Sequence, residues 1–130
     1  MELEFPTDLD VVIARPEGPF TLDAALQWNQ ALLRDSRFHI DMPQVYDLSR
    51  LEVENTTFER IQAAVDELAR RPRQSDAMIA YVAPQDLIYG LARMFVAISN
   101  TDLPRRRNLF RTLEDALDWI RLENREAIRG

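Results

Sequence analysis

The sequence predicts an α/β fold, a five-stranded mixed and largely parallel sheet carrying four main helices. Three observations predict it. Short apolar segments alternate with amphipathic stretches along the whole chain. The first two strand-like segments stand only a few residues apart, close enough for an antiparallel pair. Each later strand follows a helix, the order that builds parallel pairs through right-handed crossovers. With 130 residues, 46% of them hydrophobic, the chain is long enough to bury a core as one domain over 1–130.

The elements follow in order. ELEF and LDVVIAR, separated by Pro6, Thr7 and Asp8, form the antiparallel pair, and Pro16 and Gly18 end its second strand. Thr21 caps a helix to about Asp35, anchored by Leu26 and Leu33. QVYDLS is the next strand. ENTTFE leads into a second helix, where Phe58, Ile61, Val65 and Leu68 recur at helical spacing, which assigns Phe58 to the core, and the helix stops before Pro72. AMIAYVA, residues 77–83, is apolar almost throughout, as a central strand buried on both faces requires. After Pro84 a third helix runs from Gln85 to about Asn100, with Leu87, Leu91, Phe95 and Ile98 as its buried stripe. RNLFRT is the last strand. Thr112 opens a final helix that buries Leu113, Leu117 and Ile120.

Composition excludes several kinds of chemistry. A net charge of -6 with a pI near 4.8 lacks the clustered positive charge that nucleic acid demands. All sixteen basic residues are arginine, so there is no lysine for a Schiff base or a phosphate loop, and three scattered glycines form no dinucleotide fingerprint. Without cysteine and with one histidine, no thiolate nucleophile or ordinary zinc site is available, and no cofactor is expected. His39 reads as a partly buried structural residue. Asp8 with Asp10, and Glu52 with Glu54, read as solvated loop charges rather than catalytic pairs. The longest apolar run, Leu87 to Ile98, contains Arg93 and is too short to span a bilayer. The acidic start MELEF lacks the layout of a signal peptide, and a cytoplasmic, non-enzymatic protein is expected.

The predicted topology sorts the charges to two edges. Arg34, Arg37, Arg70, Arg71, Arg73, Arg105, Arg106 and Arg107 gather where helices end and strands begin. Glu52, Glu54, Asp86, Glu114 and Asp115 gather at the opposite, carboxyl edge of the strands. Each set complements the helix dipoles, so no single arginine marks a site, and an anionic ligand is disfavoured at the acidic edge.

Two segments stand out as candidate sites. In ENTTFE, Thr56 and Glu59 have the spacing of a capping box, which leaves Thr57 at the first helical position with a hydroxyl free to take a phosphate. On the third helix Tyr89, Arg93 and Val96 lie near one another away from the apolar stripe, a composition suited to an interface, including one between two copies of the chain.

VYDLSRLEVENTTF resembles a pattern of the STAS superfamily, the sulfate transporter and anti-sigma factor antagonist domains. Asp47, Leu48 and Ser49 match its DLS, and Asn55, Thr56, Thr57 and Phe58 fall on its DSSG. APQDLIYGLARMF, residues 83–95, and LFRTLEDALDWI, residues 109–120, resemble the C-terminal half of the bacterial SpoIIAA-like branch. The resemblance implies the SpoIIAA-like fold and a non-catalytic regulatory domain that binds another protein, with Thr57 at the phosphorylated position. An alternative, implied by lipid carriers among related folds and by the apolar third helix, is a binder of a small apolar or lipid-like ligand. Carboxylate-based catalysis is the third reading.

Overall fold

The computed structural model describes residues 1–53, 56–70, 77–102 and 106–129. Along the chain lie β1 (Glu2–Glu4), β2 (Val12–Arg15), β3 (Gly18–Pro19), α1 (Leu22–Arg34), β4 (Gln44–Asp47), β5 (Leu51–Glu52) and α2 (Phe58–Arg70). β6 (Ile79–Val82), α3 (Asp86–Asp102), β7 (Arg107–Phe110) and α4 (Leu113–Arg129) complete it. The main sheet has five strands in the order β1-β2-β4-β6-β7, with β1 antiparallel to β2 and every other pair parallel. The expected α/β architecture with a mixed five-stranded sheet and four helices is therefore present. Among the described residues no helix is long and apolar enough to cross a membrane.

This strand order has a consequence for binding. Parallel strands are added in one direction only, so crossovers of a single hand place α1, α2 and α3 on the same face of the sheet. α2 packs against both α1 and α3, whereas α4 lies on β4, β6 and β7 from the other side. An order that never reverses has no topological switch point, and with it goes the crevice in which open α/β sheets commonly hold ligands.

Alternation along each strand divides the core between these layers. Val45, Ala80 and Val82 face α4, where they meet Ala116 and Ile120, both fully buried, together with Phe110 and Trp119. On the three-helix face Val12, Leu32 and Met42 pack at the β1–β2 end. Leu48, Val53, Ala83, Ile88 and Ala92 form the middle of that layer.

Threonine starts three of the helices. Thr21 Oγ1 accepts the Ala24 amide at 3.0 Å, and Thr112 Oγ1 accepts that of Asp115 at 3.1 Å, as the sequence predicts. A short parallel pair of β3 with β5 was not expected. Gly18 makes it possible with φ of 90°, a conformation that side-chain-bearing residues seldom adopt, and its N–H donates to Arg50 O at 3.3 Å. The pair ties the two loops at the carboxyl edge together and holds Phe20 and Leu51 against the middle of the core.

Three burial expectations are corrected, the first on α1, where Leu33 is 41% exposed and Leu32 takes the buried position beside it. Phe58, the first residue of α2, is 52% exposed, and Ile61, Ala64 and Val65 form the buried face, while the Leu68 side chain lies outside the described residues. On α3 Leu87 is 59% exposed, and the deepest line is Ile88, Ala92 and Ser99, with Leu91 and Phe95 beside it. That line is the one turned toward the sheet, where α3 packs against β7.

Candidate functional site

The helix-covered face of the sheet is built from alternate strand residues. The registers set Gln44 beside Ile79 beside Arg107 at the strand starts, and Tyr46 beside Tyr81 beside Leu109 two residues further on. Tyr46 and Tyr81 stack with ring centroids 5.7 Å apart, and Phe95 of α3 meets Tyr81 edge-on at 5.6 Å. Above this aromatic floor each helix offers an alanine, Ala25 on α1, Ala64 on α2 and Ala92 on α3. Where three facing helices present methyl groups over a sheet, the layer does not close.

The result is a cavity of about 170 Å³ between sheet and helices. Its lining is mostly apolar. Phe20, Leu48, Leu51 and Ile88 line it toward the carboxyl edge, with Thr56, and Ile61 and Leu91 flank it. Gln44 and Arg107 line it at the amino edge of the strands. An apolar cavity of about 150 Å³ accommodates benzene in another protein, so this space is the size of a small organic molecule.

Arg107 is the unusual member. The residue is buried, with 8% of its surface exposed, and its Nε and Nη1 have no hydrogen-bond partner among the described residues. Its backbone is held firmly. Asn100 of α3 accepts the Arg107 N–H at 3.2 Å and donates through Nδ2 to its carbonyl at 3.2 Å. Close by in the same register, Gln44 is 3% exposed and its Oε1 accepts the Tyr46 hydroxyl at 3.1 Å, which leaves its amide N–H groups as the remaining donors.

The other described arginines grouped with it by sequence behave as ordinary surface charges. Arg37 pairs with Asp35 at 2.8 Å, Arg70 with Glu67 at 3.0 Å and Arg106 with Glu123 at 2.8 Å, while Arg34 is exposed. Arg71, Arg73 and Arg105 lie outside the described residues. Treating the whole set as helix-end charges therefore missed the one that, among the described residues, is buried. The parity of RNLF carried the signal: Arg107 shares a face with Leu109, in a strand covered on both sides.

ENTTFE is also arranged differently from expectation. Thr57 Oγ1, not Thr56, accepts the amide three residues on, that of Arg60, at 3.2 Å, and Thr57 O accepts the Ile61 N–H at 3.1 Å. Thr57 is thus the cap, and the Thr56 to Glu59 capping box is not formed; the helix begins one residue later than that spacing required. Thr56 instead lines the cavity, its N–H donating to Val53 O at 2.9 Å. Glu59 is exposed, and Glu54 and Asn55 lie outside the described residues.

On α3 Arg93 is exposed, whereas Tyr89 and Val96 are half-buried. The Tyr89 ring is covered by the Arg111 guanidinium 3.8 Å from its centroid, and Arg111 also pairs with Asp86 at 2.7 Å. His39 is exposed rather than partly buried, its Nε2 2.9 Å from Asp10 Oδ2 at the surface. Among the described residues no group of three His, Asp or Glu could hold a metal ion. No protein-family model, curated protein or solved structure matches the chain.

Proposed function

We propose that this chain is a non-catalytic binding domain that holds a small, largely apolar ligand between its sheet and its three-helix layer. One observation carries the reading: the cavity of about 170 Å³ floored by Tyr46 and Tyr81 and roofed by alanines from three helices. Protein interiors are packed about as densely as organic crystals, so a space of this size at the centre of a layer is a departure that a ligand would remove. The element order of strand, strand, helix and repeated strand–helix units also supports a STAS-like reading of the fold.

The reading is tested with benzene as a neutral probe. Methyl resonances of Ile61, Ile88 and Leu91 are expected to shift in a saturable manner, and the replacement Ala64→Leu is expected to abolish the effect by filling the space. Unchanged methyl resonances in the wild-type protein at saturating benzene would overturn it.

A second reading, docking of another protein at the carboxyl edge, is favoured by three apolar side chains in first helical turns. Leu22 of α1, Phe58 of α2 and Leu87 of α3 are 37%, 52% and 59% exposed. Phosphorylation of the exposed Thr57 belongs to this reading, since a phosphate there would stand at the positive end of α2. Phosphopeptide mapping of protein from its native cells tests it, and full coverage of the Thr57 peptide without phosphate counts against it.

A further inference from the structure

Three buried side-chain atoms among the described residues lack a hydrogen-bond partner; one lies near the end of α3 and two at the start of β7, elements that pack against each other. They are Ser99 Oγ, Arg107 Nε and Arg107 Nη1. A guanidinium withdrawn from water without a counter-charge is strongly disfavoured, and native proteins retain such a group where something pairs with it. Arg107 lines the cavity, and it is the single charged side chain among the described lining residues. The remainder of the lining is apolar, with a few neutral polar groups.

Charge matching then selects the ligand. One unpaired positive charge calls for a monoanion, because a dianion would leave a negative charge uncompensated against apolar walls. The planar fork of Nε and a terminal nitrogen matches the two oxygens of a carboxylate, with both hydrogen bonds strengthened by charge. Gln44, two strands away at the same register, supplies further neutral donors. From Gln44 to Leu48 the strand direction covers about 13 Å, the length over which the apolar lining extends.

We propose that the cavity takes a small monocarboxylate with an apolar body, its carboxylate on Arg107 and its body running along the strands toward Leu48 and Leu51. This rests on the reading of the cavity as a ligand site and adds the identity of the head group. The head group lies at the amino edge of the strands, opposite the acidic edge.

Calorimetry at neutral pH with hexanoate, 1-hexanol and hexylamine separates the two claims. Hexanoate is expected to bind at least tenfold more tightly than hexanol, and hexylamine not at all. Arg107→Met is expected to reduce the hexanoate preference to less than twofold and to raise the melting temperature of the ligand-free protein, because it removes a buried charge that no described residue pairs. Hexanol binding as tightly as hexanoate would overturn the carboxylate while the cavity reading stands. Failure of hexanoate, hexanol and benzene alike would overturn both. Displacement of hexanoate by inorganic phosphate at similar concentration would mean a bare-anion site and would also overturn it, as would an undiminished preference in Arg107→Met. If that variant does not fold, the Arg107 Nε–H resonance of the wild-type protein decides: hexanoate shifts it and hexanol does not, and an unmoved resonance at saturating hexanoate refutes the assignment.

Discussion

Thr57 Oγ1 accepts the backbone N–H of Arg60 at 3.2 Å, which makes Thr57 the residue that starts α2. Loss of a threonine cap costs about 0.5 to 2 kcal/mol, so Thr57→Ala is expected to lower stability by that amount. The hydroxyl of Thr56 makes no such contact, and Thr56→Ala should stay within about 0.5 kcal/mol. Urea melts of the two variants check the order.

Ile120 of α4 is fully buried against the sheet, whereas Leu87 of α3 is mostly exposed. Ile120→Ala removes packed methylenes and leaves a void, for about 2 to 5 kcal/mol of lost stability. Leu87→Ala removes little and is expected to cost less than about 0.5 kcal/mol. Equal losses in denaturant melts would mean that α3 is rotated from the phase described.

Asp35 ends α1, and its carboxyl is held down to about 2 by hydrogen bonds from the Arg37 side chain first and from the Arg37 amide second. Its usual value is 3.8, so the folded state binds this proton less readily than the unfolded chain. The contribution is present above the unfolded value and is lost as pH falls from there through about 2. Solvent around this exposed pair keeps the effect small. Carboxyl-carbon NMR is expected to follow Asp35 titrating near the lower value, and Arg37→Ala is expected to return it toward the ordinary one.

Tyr89 and Arg93 stand one turn apart on α3, with Tyr89 already covered by Arg111. Self-association through this face predicts that replacing Tyr89 and Arg93 together by alanine lowers the mass measured by light scattering, with helical content retained. A wild-type protein that remains monomeric at high concentration removes the idea.

The sequence by itself determined the order of the four helices and the five main-sheet strands, the antiparallel first pair and the two threonine caps at Thr21 and Thr112. Period, punctuation and capping are local, and each is written within a few neighbouring residues. Tertiary structure decided the rest. Strand order, and with it the gathering of α1, α2 and α3 on one face, depends on contacts between segments far apart in the chain. The phase of α3 was ambiguous because apolar residues occur on several of its sides, and only packing against β7 selected Ile88, Ala92 and Ser99 over Leu87. The cavity is bordered by Ala25, Ala64 and Ala92, ordinary helix formers when taken singly, which three separate helices bring to line one space. Arg107 acquired its meaning in the same way: in sequence it is the third of three consecutive arginines, and the pleat of β7 under a second layer buries it with Nε and Nη1 lacking a hydrogen-bond partner among the described residues.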